Sequence, residues 1–596
     1  MRHLILITAL AMGGCNMPSE PAPSDATTDA DVVIVGAGIS GISAALEAAR
    51  GGASVLVVDM WSIFGGHAVM SHGGLCIVDT PVQKAQGVSD SAELAERDFL
   101  TWGEDADAEW VRYYTENSRE QIYDWVTEMG VEFSGVLRIP GNSVARFHEP
   151  IGRGLGLVSP IYRQAVLNPN IRFVWNFKVD GLVTREGRVV GVDGAYMRGG
   201  ERGSFRGDLV VLATGGFQSN LDIVREYWPE AVRFPEKMLA GSGVNSHGSG
   251  LAIAEQAGAA LRNLDYQWNY ATGLPDPRYP GGYRGLNASN NASIWVNATG
   301  KRFVNERGST KEKFPALLAQ KPARYWAIFD ETSKRQFAIT GSDWADFDVI
   351  EKVIFENDEL VQSADSLEAL AEAAGLPPRA LVDTVTRYNE MIEDGSDNDF
   401  GRFGSDSRTS PPRIETPPFY AVTFFPISRK SMGGIAIDID TRVLDKSGKP
   451  IAGLLAVGEA TGFGGINGKA GLEGTFLGPS IVTGRVAGRT ILTELARLRQ
   501  GSGEAMTPSV EAQNPGLPPE AVAGEDCATC HDLPGLIEDP RPGYTHFENV
   551  HRVVLERQYD CGRCHGEMLP IDLDRHVIDR VAQIESCKSC HVATEH

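Results

Sequence analysis

Cysteine is nearly absent from the first 526 residues of this 596-residue sequence, which hold only Cys15 and Cys76. Two thiols so placed argue against a disulfide framework. Basic residues are also in short supply: 55 Lys and Arg face 78 Asp and Glu, a formal charge of −23. That balance argues against a nucleic-acid partner, which needs clustered cations, and favours small molecules or basic redox proteins. No apolar run is long enough to require a transmembrane span. Histidine is rare as well; of twelve in the chain, seven lie in 527–596.

What is present has the proportions of a globular protein, 42% hydrophobic and 22% charged, and a length that predicts two to four domains. The short apolar run Leu4 to Met12 follows Arg2 and ends in "AMGGC". This reads as an export signal over 1–15. It resembles a bacterial lipobox with Cys15 as the lipidated residue, although Met12 stands where Leu is usual. Residues 16–30, Pro-rich and without aromatics, are expected to form a disordered tether to a membrane surface. The expected location is outside the cytoplasm, either periplasmic or as a membrane-anchored lipoprotein facing the periplasm.

From Asp31, "DVVIVGAGISGISAALEAARGGASVLVVDM" begins with a continuous apolar strand, as in a parallel sheet buried on both faces. Gly36, Gly38 and Gly41 then form Gly-x-Gly-x-x-Gly at the start of a helix. Such glycines allow a tight turn and a close backbone approach, so a pyrophosphate can rest on the helix N-terminus. A second strand ends at Asp59, placed to accept hydrogen bonds from a ribose. In this strand, turn, helix, strand and acid order, the motif predicts a dinucleotide rather than a structural turn.

Later segments narrow the dinucleotide. "DLVVLATGGF" ends a strand at Ala213, Thr214 and Gly215, and "IAGLLAVGEATGFGG" ends in Gly458-Glu459. With "GKRFVNE", "TVTRYNEM", "DFGR", "PPFYAV" and "GLEGTFLGPSIVTGRVAG", they resemble the fumarate reductase and ketosteroid dehydrogenase superfamily of FAD-binding proteins. The resemblance implies an α/β fold: a discontinuous Rossmann-like FAD-binding domain over 31–263 and 429–500, with an inserted α+β cap over 264–428. It implies FAD contacts from Gly36, Ala37, Gly38, Ser40, Gly41, Asp59, Val179, Ala213, Thr214, Gly215, Gly458 and Glu459. The segment "GGHAVMSHGG" would run along the isoalloxazine, adding Gly66, His67, Ser71, Gly73 and Gly74. His67 falls where membrane-bound succinate dehydrogenases and fumarate reductases carry a histidine covalently joined to FAD; a noncovalent contact is the favoured reading, with a covalent link and no flavin contact as the alternatives. His72 reads as a packed residue near Cys76.

After a Gly/Pro-rich linker over 501–526 come "CATCH", "CGRCH" and "CKSCH". Two thiols at this spacing can add to a haem's vinyl groups, and the following His can reach the iron. Zinc and a structural disulfide are the competing readings. Three repeats that include the His favour c-type haem, attached through Cys527 and Cys530, Cys561 and Cys564, and Cys587 and Cys590. The proximal ligands would be His531, His565 and His591. His546, His551, His576 and His596 compete for three distal positions, which would give a small, mostly irregular or helical multihaem domain over 527–596.

A flavin exchanges hydrides and single electrons, whereas haems carry one electron at a time. The combination resembles flavocytochromes c of the fumarate reductase type, with a quinol-linked or periplasmic cytochrome as redox partner. The family's charged residues for clamping fumarate are largely replaced. Its proton-donating Arg falls on Thr310, beside Lys311; its substrate His falls on Arg429 or Lys430; its clamp Arg falls on Gly471; and a cap His falls on Asn269 or Tyr270. A less charged substrate is expected, oxidised or reduced at a carbon–carbon bond. Arg429 and Lys430 could hold an oxyanion, and Tyr270, Tyr266, Tyr279 and Tyr283 could polarise a ketone or move a proton. An electron-storage protein without a dedicated substrate, and an enoate reductase with an altered site, are the alternatives.

Overall fold

The computed structural model describes residues 29–502, apart from 62, 198–199, 280 and 405–409. The leader over 1–15, the lipidated Cys15, nearly all of the tether and the three Cys-x-x-Cys-His sequences lie outside the described residues. In chain order, the elements that position the site are β1 (Ala30–Val35), α1 (Ile39–Arg50), β2 (Val55–Val58), β3 (Ile171–Val174), β4 (Arg202–Leu212), β5 (Gln267–Pro275), α2 (Thr310–Leu318), β6 (Phe419–Ser431), β7 (Pro450–Ala456) and α3 (Leu477–Ser502). Helix α3 thus takes in the first two residues of the expected linker.

The first sheet is doubly wound. Its order is Arg442–Leu444, β7, β4, β1, β2, β3, and β1 pairs in parallel with both β2 and β4. The apolar run of β1 is explained by this central place, since Val32, Val33 and Ile34 are fully buried. Each such side chain contributes roughly 1.5–3 kcal/mol relative to exposure. A hairpin, Phe177–Arg185 with Arg188–Tyr196, extends from β4. Helix α1 lies against α3 at close range, because α3 carries glycines at the contact. A Cβ at Gly484 would lie 2.3 Å from the Ser40 carbonyl oxygen, and one at Gly488 would lie 2.4 Å from Glu47 Cβ. Arg499 near the end of α3 binds Asp31 at the start of β1 at 2.5 Å.

The second sheet is built on β6. Its order is Ile294–Val296, Tyr325–Asp330, β6, β5, Gly285–Asn290, Phe337–Ile339, with Leu239–Ala240 and Val361–Ala364 also pairing with β6. This sheet takes in Leu239–Ala240, well before the expected cap over 264–428, and β6 runs past its end to Ser431. Tyr325 stacks between Trp295 at 4.2 Å and Phe424 at 5.2 Å. Two of the sequence motifs meet in one buried ion network. Arg302 of "GKRFVNE" binds Glu306 at 2.8 Å and Asp397 at 2.8 Å, and Arg402 of "DFGR" lies 3.3 Å from Glu306. Buried charges of this kind persist only when they are mutually paired.

Candidate functional site

The glycine turn after β1 has the shape of a pyrophosphate cradle. A Cβ at Gly36 would fall 2.3 Å from the Ala213 carbonyl oxygen, and one at Gly41 would fall 2.0 Å from the Gly36 carbonyl oxygen. At Gly38, the residue before α1, a Cβ would meet nothing within 4 Å, and no side chain caps the helix. Space and unpaired N–H groups therefore coincide at the helix N-terminus.

Asp59 is tied to this turn. Its Oδ2 accepts the Ala37 N–H at 2.6 Å and its Oδ1 the Trp61 N–H at 2.7 Å, while burial raises its pKa to about 6. Around the cradle, Ser40 lies under Gly458, where a Cβ would be 2.6 Å from its Oγ. Val179 is buried in one cluster with Val35, Val58 and Leu212. Thr214 Oγ1, His67 Nε2 and both amide atoms of Gln218 are buried without a hydrogen-bond partner. Unmet polar atoms at this density fit a polar ligand, and with the glycine cradle they fit FAD.

His67 precedes the short helical turn Ala68–Met70 of the "GGHAVMSHGG" segment, with its side chain largely covered. Its Nδ1 lies 3.4 Å from Ser242 Oγ and 3.7 Å from Glu459 Oε2. Burial, followed by the charges of Lys430, Arg429 and Arg284, holds the imidazole well below its ordinary pKa, so it is neutral and makes no ion pair with Glu459. Glu459 is itself raised by burial and accepts the Ser431 N–H at 3.0 Å. His72 lines a cavity farther along the segment, 3.4 Å from Glu149.

That cavity, of about 390 Å³, lies between Ser71–Gly74 and the second sheet. Residues 429 and 430 are adjacent in sequence and would ordinarily point to opposite faces of a strand. Here Trp268 opposes Lys430 and Asn269 opposes Ser428, so Arg429 is the extra residue of a β-bulge. The bulge re-aims the chain and both cations line the cavity. Lys430 Nζ has no hydrogen-bond partner among the described residues and lies 5.1 Å from the Phe476 ring. Burial and the adjacent Arg429 lower its pKa to about 8. Arg429 donates from Nη1 to the Gly241 carbonyl, and its buried Nε has no partner.

Trp268 and Tyr270, two apart on β5, share a face and converge on Glu473. Tyr270 Oη lies 2.7 Å from each carboxylate oxygen, and Trp268 Nε1 donates to Oε1 at 3.1 Å. Burial, then the Glu473 charge, hold the Tyr270 phenol well above its ordinary pKa. Asn269 faces the other way, with Oδ1 buried and unpartnered. At Gly471 the space for a clamp side chain is taken by Trp268, whose ring lies 2.7 Å from a Cβ built there.

Thr310 lines the cavity, but Lys311 turns away to the Trp102 carbonyl at 2.6 Å and Glu104 at 2.7 Å. The cation that does reach the cavity from α2 is Lys313, three residues beyond Thr310 on the same helix face. Of the other tyrosines, Tyr266 donates to Asp105 at 2.5 Å, Tyr279 packs edge-on to Tyr283, and Tyr283 is exposed; none of the three lines the cavity. Sequence reasoning missed Glu473, Lys313 and Trp268. The acid in "GKAGLEGTF", among glycines and apolar residues, was the available signal for the first.

Comparison with known proteins agrees with this geometry. The FAD binding domain family matches residues 31–477. The chain is 30% identical over 568 residues to a KsdD-like steroid dehydrogenase of Mycobacterium tuberculosis, covering 80% of this chain and 99% of that protein. It is 33% identical over 475 residues to a fumarate reductase (cytochrome) of Shewanella frigidimarina, covering 78% of this chain and 77% of that one. The open conformation of a flavocytochrome c3 fumarate reductase superposes with a TM-score of 0.65 at 29% identity, covering 78% of each chain.

Proposed function

The chain belongs to the FAD binding domain family and is an FAD-dependent oxidoreductase acting on CH–CH groups, and on that premise we propose that its substrate is activated through a single carbonyl oxygen. The observation that carries this reading is the bulge at Arg429, which turns two adjacent cations into one cavity beside the flavin-facing segment. When bound, FAD supplies a two-electron acceptor or donor for hydride. The chain's own residues do the rest. Lys430 and Arg429 hold the carbonyl oxygen and stabilise the charge that develops on it. Tyr270 and Phe476 wall the cavity.

Fumarate itself fits poorly. Trp268 fills the place of a second carboxylate clamp at Gly471, and the Glu473 carboxylate faces the same cavity and would repel that group. The three Cys-x-x-Cys-His sequences at 527–531, 561–565 and 587–591 support a relay of single electrons through three c-type haems to or from a periplasmic or quinol-linked partner. The leader supports export and anchoring through Cys15.

The test is an anaerobic screen of enones, enoates and their saturated counterparts, read in the haem absorption bands of the full chain. An enone or its saturated ketone is expected to change those bands at least tenfold faster than fumarate. Fumarate as the fastest reactant would overturn the single-carbonyl reading, and bands that never respond would remove the relay.

A further inference from the structure

Two carboxylates line the cavity among the described residues, and they are differently committed. Glu306 is saturated: it is bound through Arg302 Nε and Nη2 at 2.8 Å each, approached by Arg402 at 3.3 Å, and accepts the Trp295 N–H at 3.2 Å. Glu473 is not. Its Oε1 accepts from Trp268, and the one phenolic proton of Tyr270 is shared between both oxygens at 2.7 Å. Oε2 therefore keeps lone-pair capacity beside the cavity.

The loop that carries Glu473 is fixed from the flavin-facing side. The Cys76 N–H donates to the Gly474 carbonyl at 2.9 Å, and Cys76 Sγ donates to the Glu473 carbonyl at 3.1 Å. A Cβ at Gly474 would lie 2.8 Å from both Cys76 N and Sγ, so the two segments touch with no room for a side chain. The carboxylate is thereby held on a rigid loop, between two donors that orient it.

We propose that Glu473 is the proton acceptor of the site, removing the hydrogen alpha to the carbonyl that Lys430 holds. The inference rests on the single-carbonyl reading of the same cavity. In this step the C–H bond breaks, its electron pair becomes the enolate C=C–O⁻ held by Lys430, and an O–H bond forms on Glu473. The reverse returns that proton to carbon, and neither direction needs an oxidant. Tyr270 is the weaker candidate for this role, because giving up its proton beside the Glu473 carboxylate would leave two anions in contact. It acts as a positioning residue that donates to the carboxylate.

The probe is p-nitrophenol, whose anion mimics an enolate, titrated by absorbance into the full flavin-loaded chain. Glu473→Gln, which mimics the protonated base, is expected to bind the phenolate at least threefold more tightly and to lose turnover of any active ketone at least a hundredfold. Glu473→Asp keeps the charge and is expected to bind it as the parent protein does. Looser or unchanged binding in Glu473→Gln, while Lys430→Met weakens binding, would overturn the base assignment alone. Binding unaffected by Lys430→Met, or no binding by the parent protein at millimolar phenol, would overturn the oxyanion reading together with it.

Discussion

The FAD cradle and the substrate cavity are linked by the "GGHAVMSHGG" segment, whose Gly65 bridges to Gly38 and whose Ser71–Gly74 line the cavity, yet they are specified in different ways. The cradle is built from one short stretch, Gly36 to Asp59, closed by Ala213 just after β4. Its steric requirement is local and severe. The cavity takes Ser71–Gly74, β5, α2, β6 and the 471–474 loop from across four hundred residues. Its character depends on one bulge and on which neighbour fills the space at Gly471. A local site tolerates almost no change at its glycines, whereas an assembled site can exchange one chemistry for another while the cradle stays the same.

The sharpest way to break the comparison is Gly41→Val. With 2.0 Å between a Cβ at that position and the Gly36 carbonyl, the turn cannot keep its shape, and the purified protein is expected to lose more than 90% of its FAD by absorbance. Full flavin occupancy would show that the cradle is less local than described.

Next in size is Lys430→Met, expected to lower turnover at least tenfold with FAD retained. The pH dependence follows from the same side chain. Burial and Arg429 lower its pKa to about 8, with Glu459 and Glu473 opposing, so the ammonium is present below about 8 and is lost as pH rises through it. Turnover should show an alkaline limb near that pH. Lys430→Arg, protonated throughout, should move the limb upward; a limb unmoved by that change would assign it to another group.

The smallest effect separates two lysines on α2. Lys313→Met is expected to raise KM about threefold, because its ammonium lines the cavity, while Lys311→Met leaves KM and kcat within about twofold, because Lys311 binds Trp102 and Glu104 instead. Equal effects on KM would mean that the helix face of α2 does not decide access to the substrate.

The legible parts of the site are those where backbone sterics or strand periodicity act over short range. The Gly36, Gly38 and Gly41 spacing announces a pyrophosphate turn, and the apolar run of β1 announces a central parallel strand. "GKRFVNE" and "DFGR" were visible as motifs, but their shared purpose, the Arg302, Glu306, Asp397 and Arg402 network, was not, because ninety residues separate them. Lys311, beside Thr310, was the lysine that the sequence pointed to, and Lys313 was missed; a rotation of about 100° per residue around α2 puts the two on different faces. Tyr266, Tyr279 and Tyr283 had the right chemistry but sit elsewhere, since a side chain's chemistry does not fix which face of the fold it reaches.

The sequence by itself determined the dinucleotide cradle and the order of strand, glycine turn, helix, strand and acid, because the steric rules for glycine and the period of a buried strand operate between near neighbours. Tertiary structure alone decided that Arg429 and Lys430 enter one cavity, that Trp268 occupies the space beside Gly471, and that Glu473 meets Tyr270. Each of those depends on cross-strand register and loop closure over tens to hundreds of residues, where a one-residue bulge reverses which side chains face the cavity.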